Sequence, residues 1–298
     1  MQPTLHAATF WLPKEGNSED EYEDAFWTPT EPLFPLSPYR CAVADGATET
    51  SFSGPWAAAL VTAWGAGTLD ARAEGDWQEQ LPPLQEVWRE TVGEKPLPWY
   101  AEEKARAGAF SALLGLTLRV DGDAYPYDCT AAGDACLLHV RGDDLLTAFP
   151  IAAAAGFNSR PALLSSNTAQ NEALARLPVY HHGEWLPGDR FYLATDALAC
   201  TLLTRHEAGD APWSTIDILA DAAAFRRFVQ DAREDKAMRN DDVTLVRLTT
   251  GMADDDVPVG AWPGAHALAT NEDAPDEQPV VLHGVDRIDA APTLEERG

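Results

Sequence analysis

Short apolar runs that begin or end at an aspartate recur along this chain. Residues 41–44 stop at Asp45-Gly46, residues 113–120 stop at Asp121-Gly122, and residues 190–195 stop at Asp196. Residues 243–248 follow Asn240-Asp241-Asp242. Apolar runs of this length, bounded by turn residues, predict buried strands. The same pattern predicts strands over 7–12, 25–27 and 145–149, and a turn at Gly133-Asp134 feeding a strand to Val140. The middle of the chain therefore reads as a run of hairpins.

Between these runs the spacing turns helical. Gly54-Pro55 opens a helix over 56–64, with proline near its first turn. Trp56, Leu60 and Trp64 recur at i, i+4 and i+8 and predict a core-facing stripe. Further helices are expected over 77–91, broken or begun at Pro82-Pro83, and over 99–112. A long one is expected over 213–238, with Ile216, Leu219, Ala223 and Phe225 as its apolar positions. Asp196 reads equally as the cap of a helix over 197–203. Residues 14–23 open loop-like, and residues 29–38 carry four prolines and are irregular, as are 151–177.

The chain has 298 residues, 45% of them hydrophobic, enough for a sizeable buried core. No apolar run is long enough to span a bilayer, and the first ten residues lack a basic segment followed by a hydrophobic one. The four cysteines are scattered without zinc-site spacing, and three lie in apolar runs. They predict reduced core residues and a cytoplasmic protein. The net charge of −27 opposes binding to nucleic acid or to anionic membranes. It opposes phosphate esters as well, so a phosphate site would need local positive charge, for which metal ions are the obvious source. Residues 252–298 hold eleven acidic and two basic residues with few large apolar ones. The expected division is a catalytic domain over 1–250 and an acidic, mobile tail over 251–298.

The candidate chemistry lies in the carboxylates at strand ends: Asp24 with Glu23, Asp45, Asp134, Asp196 and Asp241. Several ionised carboxylates share a pocket only around cations, and oxygen-only ligands suit magnesium, manganese or calcium. Gly46 would let the backbone carbonyl approach such an ion. Taken alone, Asp45-Gly46 is also an ordinary hairpin turn with Asp45 capping its own backbone. His181-His182 is a weaker metal candidate, because neighbouring side chains in a strand point opposite ways. Arg160 reads as a substrate contact or as a plain surface arginine.

The blocks Glu23-Asp24-Ala25, Val43-Ala44-Asp45-Gly46, Gly133-Asp134, Ala194-Thr195-Asp196 and Asp241-Asp242-Val243-Thr244 together resemble the protein phosphatase 2C family, in a divergent, bacterial-type form. The resemblance implies an α+β fold, an αββα sandwich of two antiparallel sheets flanked by helices. It implies a metal-dependent phosphoserine/phosphothreonine protein phosphatase with two, or three, Mn2+ or Mg2+ ions. By motif match Asp45 bridges two metals, the Gly46 carbonyl, Asp196 and Asp241 serve one, Glu23 and Asp24 hold the other, and Asp134 serves a third. An activated water would attack phosphorus in line, without a phosphoenzyme intermediate. A phosphorylated protein is the implied substrate, with a cognate serine/threonine kinase as counterpart.

The chain departs from the family's pattern at three places. Ala47, followed by Thr48 and Glu49, stands where many members carry a general-acid His. Glu19 stands near the family's phosphate-binding Arg. Asp196-Ala197 replaces an Asp-Gly pair. The first two departures favour the alternative of a catalytically weak pseudophosphatase acting as a binding or regulatory module; the retained carboxylates favour the enzyme. Lys14 reads as a replacement phosphate-binding cation or as an exposed loop lysine.

Overall fold

The computed structural model describes residues 2–30, 32, 34–47, 52–70, 76–93, 105–158, 160–170 and 177–253. The expected tail beyond Ala253, and Thr48 and Glu49, lie outside the described residues.

Two antiparallel five-stranded sheets pack face to face. One has the order β1-β12-β11-β7-β8, built from β1 (Pro3–Leu12), β7 (Cys136–Arg141), β8 (Asp144–Phe149), β11 (Arg190–Ala194) and β12 (Val243–Met252). The other has the order β10-β6-β5-β3-β2, built from β2 (Ala25–Trp27), β3 (Tyr39–Ala44), β5 (Leu113–Leu118), β6 (Pro126–Ala132) and β10 (Val179–Glu184). A small ribbon joins β4 (Phe110–Ser111) to β9 (Leu164–Ser165). Helices α1 (Ser53–Ala66) and α2 (Asp76–Gly93) cover the outer face of the second sheet. Helices α3 (Asp196–Glu207), α4 (Pro212–Asp217) and α5 (Ala222–Glu234) cover the first. This is the αββα sandwich expected.

Strand β3 shows why the runs read as uniformly apolar. Cys41 and Val43 face the layer between the sheets, beside Leu114, Leu116, Leu193 and Val246. Ala42 and Ala44 face the opposite way, against Trp56, Leu60 and Trp64 of α1. Both faces are buried, so no polar alternation remains. The expected tryptophan stripe is fully inside, each large side chain stabilising the fold by roughly 1.5–3 kcal/mol. The three cysteines of the apolar runs, Cys41, Cys129 and Cys136, are buried and free. No helix among the described residues is long and apolar enough to cross a membrane.

Five expectations need correction. The chain does not turn at Asp45-Gly46. Asp45 and Ala112 exchange backbone hydrogen bonds and Ala47 donates to the Phe110 carbonyl, so the ladder runs on past β3. Gly46 is needed for close approach, since a Cβ there would lie 2.3 Å from the Glu23 carbonyl oxygen. The helix expected over 99–112 does not reach its end, because Gly108 has φ +89° and residues 110–111 pair as β4. The helix expected over 213–238 is two. Buried Arg247 collects the carbonyls of Ile216, Asp217 and Leu219 and ends α4, and the Asp221 side chain accepts from the Ala224 N–H and caps α5. Ala223 is consequently exposed, and Phe225 and Val229 supply the buried face. The turn at Gly133-Asp134 closes no hairpin, because β6 and β7 belong to different sheets. Last, the helix expected to be broken or begun at Pro82-Pro83 is one element, for α2 runs through both prolines, where burial of Trp77, Leu81, Trp88 and Val92 offsets the lost backbone bonds.

Candidate metal centre

The register brings the strand-end carboxylates to one mouth of the sandwich. Ala25 pairs with Ala44, so Asp24 and Asp45 leave neighbouring strands at the same end. Cys136 and Leu245 both pair with Ala194, so the Gly133-Asp134 crossover, Asp196 and Asp241-Asp242 share that end. Leu12 pairs with Val243 and delivers Lys14 beside them. Gly133 makes the crossover possible, with φ +94° in the left-handed region.

Asp45, Asp134 and Asp196 each place a carboxylate oxygen within 4.8 Å of the other two. Asp134 and Asp196 are buried, and Asp45 is half-buried. Two unit charges at that separation repel by roughly 3–4 kcal/mol at an effective dielectric constant of about 20. Burial, and then the neighbouring carboxylates, push Asp45 and Asp134 towards the protonated form, Asp134 to about 7; burial pushes Asp196 the same way against the opposing charge of Arg239. For Asp45 the neighbours that add to burial are Asp24, Asp196, Asp134 and Asp241. Asp196 lies in the first turn of α3, capped by Thr195 rather than acting as the cap, where the helix dipole favours a negative charge.

Other carboxylates stand around this trio, each already engaged. Glu23 accepts from Ser53 Oγ at 2.5 Å, and Lys14 Nζ lies 4.0 Å from its other oxygen. Asp24 is buried and accepts from Thr244 Oγ1 at 2.7 Å, and Thr244 in turn meets the Tyr22 hydroxyl at 2.5 Å. Burial, with Asp242 next, raises Asp24 well above the usual carboxylate range. Asp241, partly exposed, pairs with Arg239 at 2.8 Å. Gly46 lies against the Glu23 backbone and bridges to Ser111.

Three residues at this mouth were not singled out from the sequence. Asp242 accepts the Lys14 N–H at 2.8 Å and the Glu23 N–H at 2.7 Å, tying the first loop to the start of β12. Thr195 Oγ1 accepts the Thr244 N–H at 2.9 Å and joins the ends of β11 and β12. Arg239 bridges Asp196 and Asp241. Its position two residues before Asp241 was the only signal. The other candidates lie elsewhere. His181 Nε2 is 3.2 Å from the Tyr127 hydroxyl, whereas His182 Nδ1 is 2.5 Å from Asp128, so the pair points to opposite faces of β10. Arg160 is exposed beside Asn158. Ala47 carries only its backbone into this region, and Glu19 sits exposed in a short 3-10 turn.

The donor set suits a hard cation. It is all oxygen, crowded and electronegative, and Asp196 Oδ1 is buried with no hydrogen-bond partner among the described residues. A buried carboxylate oxygen left unpaired is costly, and a divalent ion supplies the missing partner.

No family profile matches the sequence, and no curated protein sequence matches it. Solved structures do. A bacterial serine phosphatase matches with TM-score 0.54 at 10% identity, over 84% of this chain and 99% of that one. The Mycobacterium tuberculosis serine/threonine phosphatase PstP/Ppp matches with TM-score 0.49 at 15% identity, over 83% of this chain and 99% of that one. The catalytic domain of PstP in complex with two manganese ions gives the same score and identity over 84% and 100%. The chain therefore has the fold of that bacterial serine phosphatase, and the sequence blocks that resemble protein phosphatase 2C lie at one mouth of that fold.

Proposed function

We propose that this protein is a metal-dependent phosphoserine/phosphothreonine phosphatase of the protein phosphatase 2C type. The observation that carries the reading is the convergence of Asp45, Asp134 and Asp196 within 4.8 Å, with a buried, unpartnered Asp196 oxygen among them. A binding module with no use for cations would bear this repulsion without return, which favours the enzyme over the pseudophosphatase.

In this reading Asp196, Asp241 and the Gly46 carbonyl would hold one divalent ion, Glu23 and Asp24 would help hold a second, Asp45 would serve both, and Asp134 would serve a third. Manganese or magnesium, bound there, supplies Lewis acidity and an acidified water. The chain's own residues orient that site. Asp242 fixes the loop that carries Glu23, Thr244 fixes Asp24, and Lys14 stands at the rim as a charge for a phosphate oxygen. The substrate is a phosphorylated protein, which would imply a cognate kinase, and residues 1–250, together with the last rungs of β12 and Ala253 beyond them, form the catalytic domain.

Hydrolysis of an aryl phosphate and of phosphoserine and phosphothreonine peptides, measured with Mn2+, with Mg2+ and in chelator, tests the reading. Activity is expected with metal and lost in chelator and in Asp45→Asn. Full activity in excess chelator would refute the metal mechanism; no activity with either metal would favour the binding module.

A further inference from the structure

A chain without the expected phosphate-binding arginine still places a guanidinium, that of Arg239, on the carboxylates of the mouth, whereas Arg233 nearby donates to the Pro13 and Asp241 carbonyls. Arg239 leaves the end of the 235–240 connection, just before β12. A single nitrogen, Nη2, reaches both Asp196 Oδ2 and Asp241 Oδ2, the latter at 2.8 Å. These two side chains come from different strand ends, after β11 and before β12. Arg239 makes no other hydrogen bond among the described residues, and its side chain is 56% exposed, so one flank of the guanidinium stays in solvent at the rim. Burial alone would lower its basicity; the two aspartates, with Asp45 beyond them, more than reverse that.

This arrangement has an electrostatic consequence. The positive charge sits on the same carboxylate oxygens that the proposed function assigns to a divalent ion. Guanidinium and metal therefore compete for Asp196 and Asp241. A metal that takes both carboxylates leaves Arg239 held at the rim by its backbone but without its partners. The planar head, with five donors, would then be available to another anion at the rim, and guanidinium matches phosphate oxygens by paired hydrogen bonds. Lys14 pairs with a different carboxylate, Glu23, so these ion pairs do not share a partner.

We propose that Arg239 is a counter-ion with two positions: it neutralises Asp196 and Asp241 in the metal-free protein, and in the metal-loaded protein it binds the phosphoryl oxygens of the substrate. The inference rests on the proposed phosphatase reading, and it fails separately from it. Two effects of opposite sign follow from removing one side chain. Metal should bind more tightly, because a competitor is gone. Phosphate should bind more weakly, because a ligand is gone. A residue that merely supports the fold would weaken both.

The test uses the full-length chain as wild type, Arg239→Ala, Arg239→Gln and Arg239→Lys, each checked for an unchanged circular-dichroism spectrum. Calorimetric titration with Mn2+ alone should give a dissociation constant about threefold lower for Arg239→Ala and Arg239→Gln than for wild type. Titration of the Mn2+-saturated proteins with inorganic phosphate should give about tenfold weaker binding in both, with partial recovery in Arg239→Lys. KM for a phosphopeptide should rise by a similar factor, with kcat less affected. Unchanged phosphate affinity in Arg239→Ala overturns the proposal whatever the metal result, as does weaker Mn2+ binding. Wild type that binds no Mn2+ overturns the phosphatase reading and this one with it; wild type that binds metal and turns over, with unchanged Arg239 variants, overturns this one alone.

Discussion

Asp134→Asn should stabilise the protein when metal is withheld, increasingly so as pH rises from about 4 to 7 and fully above that. Asp134 is 5% exposed, and burial, reinforced by Asp196, lifts its carboxyl from an ordinary 3.8 to about 7. The folded chain thus keeps a proton that the unfolded chain releases. Its stabilising contribution is full below about pH 4 and is lost as pH rises through 7. At about 1.36 kcal/mol per pH unit, the gap amounts to roughly 4 kcal/mol lost at pH 8. The amide of Asn stays neutral throughout, so Asp134→Asn avoids that loss. Because Asp45, Asp196 and Arg239 readjust around the change, about 2–4 kcal/mol is expected, or roughly 5–15 °C in melting temperature. The assay is thermal and urea unfolding followed by circular dichroism, in chelator, from pH 5 to 8. The variant should melt well above wild type at pH 8, and by less than half that margin at pH 5, where only about 1.6 kcal/mol has been lost. In saturating Mn2+ the order should reverse, since the wild type gains ligand stabilisation that Asn forfeits. Equal melting at pH 8 in chelator, or the same gain at pH 5 as at pH 8, would refute the reasoning.

Three further outcomes are expected. Asp45→Asn should weaken Mn2+ binding more than Asp196→Asn or Asp241→Asn, because Asp45 is assigned to two ions; calorimetry showing unchanged metal binding would remove that role. Lys14→Ala should raise KM for a phosphopeptide several-fold with little change in metal affinity, and Lys14→Arg should retain most of the wild-type value; steady-state kinetics on both variants decide it, and an unchanged KM and kcat would make Lys14 ordinary surface. Ending the chain after Ala253 should leave the melting temperature unchanged, whereas a chain ending at Thr250 should melt lower. Gly251 and Met252 pair with Thr4 and Pro3, and Ala253 donates to the Gln2 carbonyl, so a cut at Thr250 removes the end of the β1–β12 ladder.

Much of the architecture was written locally. Apolar runs of strand length, stopped by aspartate and glycine, are enough to place β3, β5, β11 and β12, because a strand buried on both faces must be apolar throughout. The stripe of Trp56, Leu60 and Trp64 likewise placed α1, since helical spacing alone gathers those side chains on one face. The resemblance carried by five short blocks pointed to the two-sheet sandwich. Elements decided by distant partners were not legible. Arg247 ends α4 from a strand some thirty residues away, and β4 exists only because β9 pairs with it.

The candidate centre divides along the same line. Sequence by itself determined which carboxylates stand at strand ends, since each follows or precedes its run within one or two residues. Only the tertiary structure decided that Asp45, Asp134 and Asp196 meet. Asp134 arrives there because β6 crosses to β7 in the other sheet, which no local pattern distinguishes from a hairpin. Arg239 and Asp242 gain their parts the same way. A charged residue in a polar connection reads as solvated surface until antiparallel register sets opposite charges, or the backbone N–H groups of Lys14 and Glu23, beside it. Local sequence specifies the direction a chain takes through a few residues; which ends coincide is set by sheet order and register, and those depend on contacts more than a hundred residues apart.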